Sequence, residues 1–299
     1  MRVVTDEQVA ALLTPADAFA AVEGSLLRFA RGDVDNPARM RLALPDGQFA
    51  VMPCVDRGLG YAGLKTYAWT PRGAPFLVVL FTLDGEFAAV VEASTLGERR
   101  TAAASAVAAS QLAGADASTL GVFGAGRQAA SHVAALRDAV PSIERVLVHA
   151  RDAARLATFC DAHRCEPAPP EQVGACDVVV TATTAEQPVL RGEWLVPGAF
   201  VCAVGANDPA ARELDDAVLE RAALVCVDSR DQSRLEAGDL VGTAARGLVD
   251  WNDVVELPAI LAGTAPGRAG DDDVVVFKSN GMAAWDLAAA ARVLELARG

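Results

Sequence analysis

Positive charge is scarce in this chain, and lysine scarcest of all. Over 299 residues, 26 Lys+Arg stand against 39 Asp+Glu, a formal net charge of −13, and lysine occurs only at positions 65 and 278. A pI near 4.7 argues against general nucleic-acid binding, which needs a basic face to displace counterions from phosphates. Long apolar runs are also missing. None approaches the ~18–20 residues that span a bilayer, so no membrane association is expected. The N-terminus, Met1-Arg2-Val3-Val4-Thr5-Asp6-Glu7, turns acidic at once and carries no apolar stretch before a cleavage site, which argues against a secretory signal. No CxxC occurs among Cys54, Cys160, Cys165, Cys176, Cys202 and Cys226. Cys202 and Cys226 lie in apolar runs, where a thiol behaves as a small hydrophobe. This is the usage of a reduced, cytoplasmic protein without a disulfide framework. Cys160, His163 and Cys165 are close in sequence, but a structural zinc wants four ligands and no second cluster follows, so no metal is expected.

What remains is a core-forming composition, 52% apolar and 22% charged, long enough for two domains. In the first hundred residues two β-hairpins are predicted, Met40 to Met52 around Asp46-Gly47 and Phe76 to Val91 around Asp84-Gly85. Asp-Gly between apolar runs supplies the positive φ that tight turns need. A helix is predicted to follow, with Thr95-Leu96-Gly97-Glu98 as a capping box, an alanine-rich run to Leu112, and Gly114 as its stop. Arg99 and Arg100 fall in its first turns, where the helix dipole disfavours cations, so anionic partners are expected there. From residue 119 the pattern changes to strand–helix alternation. The predicted strands are Leu120–Phe123, Arg145–His149, Asp177–Thr181, Ala199–Val204, Leu224–Val227 and Val274–Phe277. Helices are predicted near 127–139, 152–162, 213–222 and 251–262, with a last amphipathic helix from Ala283 to Ala297. Near-continuous apolar strands imply burial on both faces. The fold class is therefore α/β, a Rossmann-type doubly wound parallel sheet, beside a second α+β domain.

Leu120-Gly121-Val122-Phe123-Gly124-Ala125-Gly126-Arg127-Gln128-Ala129 ends a strand and opens a helix, and it fits GxGxxA. Gly124 permits the tight turn, Gly126 lets the backbone approach a pyrophosphate at the helix N-terminus, and Ala129 permits close helix–strand packing. An acid for the ribose hydroxyls is expected at the end of the second strand. Here that strand ends Val148-His149-Ala150-Arg151. Arg151 suits a 2′-phosphate, which predicts NADP(H) as the preferred cofactor and NAD(H) as a possible one. Asp152, one residue on, is a rival that can contact a ribose instead, although it suits a helix cap better. Arg127, Gln128, Thr181, Thr183, Val204, Gly205, Ser279 and Gly281 are expected to complete the cofactor contacts.

The chain resembles the ornithine cyclodeaminase/mu-crystallin family over nearly its whole length. The matching stretches are Pro37-Ala38-Arg39 with Val51-Met52-Pro53, Leu64-Lys65-Thr66, Arg99-Arg100-Thr101-Ala102-Ala103, the glycine turn, Ala203-Val204-Gly205-Ala206-Asn207-Asp208-Pro209 with Glu213-Leu214-Asp215, Val227-Asp228-Ser229, and Phe277-Lys278-Ser279-Asn280-Gly281-Met282-Ala283. The resemblance implies a homodimer of two-domain subunits. The dinucleotide-binding domain would cover 114–280, and both chain ends, 1–113 with 281–299, would form the substrate-binding and dimerisation domain. It also implies chemistry that interconverts C–N and C=N bonds through nicotinamide. Arg39, Lys65 and Arg100 match the family's site positions, with Arg41 as a rival to Arg39. A guanidinium holds a substrate carboxylate bidentately. A buried lysine with a lowered pKa can either give a proton to the imine nitrogen or join the arginines in holding the carboxylate, with a water then supplying the proton.

Two positions depart from the family's cyclodeaminases. Asn207 stands where they carry Asp, with Asp208 next to it, and Ala50 stands two residues before the Met-Pro pair where ornithine cyclodeaminases carry Glu. Losing both acids removes the counter-charges for a distal ammonium. Asn207 can hydrogen-bond an imine but cannot act as a base, and Asp208 takes over the acid's role if the loop shifts by one residue. The favoured expectation is NADPH-dependent reduction of a cyclic ketimine or imino acid of the Δ1-pyrroline-2-carboxylate or Δ1-piperideine-2-carboxylate type. The alternatives are reductive amination of a 2-oxo acid, as in alanine dehydrogenase, cyclodeamination of ornithine, and a nicotinamide-dependent binding role like that of mu-crystallin.

Overall fold

The computed structural model describes residues 2–298. Along the chain run β1 (Val3–Val4), α1 (Asp6–Leu12), α2 (Pro15–Ala30), β2 (Val34–Asp35), β3 (Met40–Leu44), β4 (Gly47–Asp56), β5 (Tyr61–Trp69), β6 (Phe76–Thr82), β7 (Phe87–Glu92) and α3 (Ser94–Leu112). Then come β8 (Thr119–Phe123), α4 (Arg127–Ala139), β9 (Arg145–His149), α5 (Ala153–His163), β10 (Glu166–Pro167), α6 (Pro170–Gly174), β11 (Val178–Thr181), β12 (Phe200–Ala203), α7 (Asp216–Arg221), β13 (Ala222–Val227), α8 (Arg230–Glu236), α9 (Gly238–Ala245), β14 (Val255–Glu256), α10 (Leu257–Leu261), β15 (Val274–Lys278) and α11 (Ala283–Leu296). Two compact units result, Met1–Ala104 with Gly281–Gly299, and Ser105–Asn280.

The first unit holds a seven-stranded sheet in the order β1-β7-β6-β5-β4-β2, with β3 paired to β4. Its pairs are antiparallel except β1 with β7. Both predicted hairpins are present, and Gly85 takes φ +90° in its turn. Helix α11 packs on β4, β5 and β6 and against α2. Strand alternation sends Ala50, Met52, Cys54, Lys65, Val78 and Leu80 to that covered face, where all are buried. Register puts Met40, Leu42, Leu77, Phe81 and Phe87 on the opposite face, and each is exposed.

The second unit is an eight-stranded, wholly parallel sheet in the order β10-β9-β8-β11-β12-β15-β13-β14. Every residue of β11, β12 and β15 is buried, as expected for strands covered on both faces. The α/β, doubly wound class read from the sequence is the observed one.

Three local expectations need correction. Thr95 is not a cap. Helix α3 begins at Ser94, and the Thr95 N–H and hydroxyl donate to Asp6 at 2.8 and 2.7 Å. The tie to α1 takes the place of the capping box. The division between units falls inside α3, not at its end. Arg99 and Arg100 bond to Leu13 and Asp286 in the first unit, whereas the Ser105 hydroxyl meets His132 and the Leu112 carbonyl accepts from Arg268 in the second. The helix predicted over 251–262 is only the short α10, and α8 and α9 were not predicted. Their shortness leaves too few turns for a 3.6-residue period to show.

Candidate active site

The glycine turn fits a pyrophosphate. Gly124 has φ +115°, and a Cβ there would lie 2.6 Å from the Ala182 carbonyl oxygen, so only glycine makes this turn without strain. Gly126 is the N-cap of α4 and supplies no side-chain acceptor. The cap position thus makes no side-chain hydrogen bond to the helix start, and helix N-termini of this kind bind anions. At the end of β9, Arg151 is exposed. Asp152 caps α5 by accepting from the Arg155 N–H at 3.0 Å. Arg155 Nε in turn donates to the Ala125 carbonyl at 2.8 Å. The acid nearest the expected ribose position is thus engaged by its own helix.

The carboxyl edge of the same sheet is organised by acids that sequence reasoning gave no role. Glu213, fully buried, accepts from the hydroxyls of Thr181 and Thr183 and from the N–H groups of Thr183, Gly205 and Ala206, at 2.7–3.2 Å. It fastens the segments that leave β11 and β12. Gly205 is required beside it, since a Cβ would lie 2.4 Å from the Glu213 carboxylate. Val204 and Gly205 are half-buried on this edge, and Asn207 and Asp208 are exposed beyond it. Asp208 accepts from the Ala210 N–H at 2.9 Å. Asp228 accepts from the Ser279 hydroxyl at 3.2 Å and the Asn280 N–H at 2.7 Å. The hydroxyls of Thr181 and Ser279 are therefore directed to carboxylates. Lys278 is buried, paired with Asp239 at 3.0 Å, and donates to the Ala206 carbonyl.

The second constellation lies in the first unit. β5 carries Lys65 on its covered side, and α3 carries Arg100 in its second turn. Lys65 Nζ and Arg100 Nε both donate to Asp286 Oδ1, at 3.0 and 2.9 Å. All three are buried. Arg39, also buried, donates from Nη1 to the Tyr67 hydroxyl at 3.1 Å. The Phe76 ring lies 5.3 Å from Lys65 Nζ, and the Trp285 ring 5.9 Å from the Arg100 guanidinium. Gly281 takes φ +81°, and a Cβ there would lie 2.7 Å from Arg100 Nη1. Burial, helped by the nearby Arg100 and Arg39 charges and opposed by Asp286, lowers the Lys65 pKa to about 8. Neighbouring Arg99 serves α1, donating to the carbonyls of Ala10 and Leu13. The structure thus groups Lys65 with Arg100, puts Arg39 within its electrostatic reach, and adds Asp286, which the sequence reading missed. Asp286 sits 221 residues from Lys65, and no local spacing pattern links the two.

The model of the ornithine cyclodeaminase/mu-crystallin family matches residues 1–299. The chain belongs to that family. An alanine dehydrogenase of Archaeoglobus fulgidus is 31% identical, over 98% of this chain and 94% of its own. A Δ1-pyrroline-2-carboxylate/Δ1-piperideine-2-carboxylate reductase of Azospirillum brasilense is 36% identical, over 94% and 91%. Among solved structures, the iminosuccinate reductase of Paracoccus denitrificans in complex with NAD+ superposes with TM-score 0.92 at 33% identity, over 100% and 96%. An archaeal alanine dehydrogenase dimer with bound NAD gives 0.93 at 30%, over the same shares. These relatives are named reductases and dehydrogenases, two of the solved structures hold NAD, and this chain is an enzyme of the same family. Among the described residues, no single helix is long and apolar enough to cross a membrane.

Proposed function

We propose that the chain reduces a cyclic ketimine or imino acid, of the Δ1-pyrroline-2-carboxylate or Δ1-piperideine-2-carboxylate type, to the amino acid, with NADPH preferred over NADH. The observation that carries this reading is a buried lysine, Lys65, that shares one Asp286 carboxylate oxygen with the buried Arg100 guanidinium and lies within electrostatic reach of the buried Arg39. That combination suits an anionic substrate that must also receive a proton. Arg39 and Arg100 hold the carboxylate and orient the adjacent imine carbon. Lys65 gives its proton to the ring nitrogen and is recharged from water. A bound nicotinamide would supply the hydride to the imine carbon. Ala125, Gly126, Arg127 and Gln128 would hold its pyrophosphate at the head of α4, and Val204 and Gly205, on the same sheet edge, would line the remainder. Thr181, Thr183 and Ser279 act by shaping the strand ends. Asn207, an amide that can hydrogen-bond an imine but cannot act as a base, and Asp208, its neighbouring acid, are the polar side chains exposed beyond β12. The absence of an acid opposite a distal ammonium favours reduction over cyclodeamination.

Absorbance-monitored oxidation of NADPH, with NADH in parallel, tests the reading on Δ1-piperideine-2-carboxylate and Δ1-pyrroline-2-carboxylate. Rapid loss of NADPH and slower loss of NADH is the expected result, and no loss with either would overturn it. The NADPH preference rests on Arg151 and on the engagement of Asp152 as a cap. Arg151→Ala should therefore raise KM for NADPH about tenfold, the size of one charge-assisted hydrogen bond, and leave KM for NADH nearly unchanged.

The alanine dehydrogenase relative, similar along 98% of this chain, favours one second reading: reductive amination of a 2-oxo acid. Turnover that requires added ammonia or amine distinguishes it. We also propose a homodimer in which a second copy covers the exposed apolar face of the first unit's sheet. Its support is the large apolar side chains at Met40, Leu42, Phe81 and Phe87 and the dimer formed by the archaeal relative. A cytoplasmic location fits six cysteines that are all unpaired.

A further inference from the structure

The cluster around Lys65 contains one anion that the proposed chemistry has not used. Asp286 is fully buried in the first turn of α11, where the helix dipole favours a carboxylate. One of its oxygens, Oδ1, accepts from both Lys65 Nζ and Arg100 Nε. The other, Oδ2, is buried without a hydrogen-bond partner. The carboxylate therefore acts wholly on the two cations. Two elements far apart in sequence, β5 and α3, are fixed to α11 at the atoms proposed to meet substrate.

We propose that Asp286 is the positioning residue of this site, holding Lys65 as an ammonium and clamping Arg100 beside it. The inference rests on the proton-donor role proposed above for Lys65. The charged groups that act on Lys65 are Arg100 from α3, Asp286 from α11 and Arg39 from the segment before β3. Burial and both guanidinium groups drive the proton off, and Asp286 alone among the charged groups keeps it on. Without that carboxylate, Lys65 would be largely neutral at physiological pH and unable to act as an acid.

Having only two lysines makes a direct test practical. Protein labelled with 13C at the lysine ε-carbon gives two resonances, and Lys65→Met assigns the one that titrates for Lys65. In Asp286→Asn, the Lys65 midpoint should fall by about one to three pH units, the effect of removing an opposite charge in contact. The alkaline limb of kcat/KM for reduction should fall with it. Asp286→Glu, which restores the charge, should return the midpoint to within about half a unit of the parent. Asp286→Ser, smaller and neutral, carries the same expectation as the asparagine variant should that variant not fold. A Lys65 midpoint that stays put in the neutral variants overturns the proposal, as does a glutamate variant that falls as far as they do. The titration needs no substrate, so its outcome separates from the failure of the ketimine reading. A shifted Lys65 in a protein that turns over no imine leaves Asp286 standing and removes the reductase. Turnover with an unshifted Lys65 does the reverse.

Discussion

Replacing Lys65 by methionine is expected to lower kcat/KM for imine reduction by about 10²–10⁴-fold, the contribution of a placed general acid, or about 3–5 kcal/mol of transition-state stabilisation. The imine nitrogen gains a bond to hydrogen as the carbon accepts hydride. Without a donor, that proton must come from water inside a buried cluster. The pH dependence has a defined sign. Reduction uses the ammonium form, so kcat/KM should be level at neutral pH and fall tenfold per unit above the Lys65 pKa, about 8. Oxidation of the cyclic amino acid uses the free amine and should rise through the same pH. Lys65→Arg separates charge from proton transfer. A guanidinium keeps the positive charge but does not deprotonate in this range, so KM should change little while kcat collapses. A methionine variant that folds, by thermal melting, and keeps reductase turnover within a few-fold would remove Lys65 from the role of acid.

What the sequence disclosed and withheld about this site follows from distance along the chain. The glycine turn was legible because all its requirements lie within a few residues: a strand end, a φ only glycine tolerates at Gly124, and an uncapped helix start at Gly126. Lys65 stood out because lysine is nearly absent. Asp286 and Glu213 did not stand out, although each organises a cluster. Asp286 looks like an ordinary polar residue of an alanine-rich helix, and its partners are 186 and 221 residues away. Glu213 satisfies donors from two strand ends that meet only once the parallel sheet has formed. The misplaced cap at Thr95 has the same origin. The local pattern Thr-x-x-Glu was present, but Asp6, 89 residues earlier, claims both Thr95 donors. Local rules therefore recovered the two hairpins, the six longer strands of the parallel sheet and the nucleotide turn, and missed β5, which carries Lys65, and the buried carboxylates, whose meaning is set by tertiary contacts.

Lys278 should prove a structural lysine, in contrast to Lys65, and its loss should be the most damaging to stability. Its ammonium and the Asp239 carboxylate are both fully buried, 3.0 Å apart, at the end of β15. Asp239 also accepts from the N–H groups of Glu213 and Leu214 at 2.7 and 2.9 Å, and Lys278 donates to the Ala206 carbonyl. Lys278→Met leaves a buried carboxylate without its counter-charge, a change that costs about 3–5 kcal/mol, a large share of the 5–15 kcal/mol that typically holds a domain folded. The companion change Asp239→Asn removes the stranded charge, and its side-chain oxygen can still accept from Glu213 and Leu214. The double variant should therefore recover most of the loss. In a double-mutant cycle by urea unfolding, the coupling should equal the greater part of the single-variant cost. Additive effects would mean that the pair is not coupled and that Lys278 acts through Ala206 alone. If the pair is coupled, the same bond fixes the turn that presents Asn207 and Asp208, and destabilisation should appear first as faster hydrogen exchange between residues 205 and 214, where the backbone depends on Glu213 and Asp239 together.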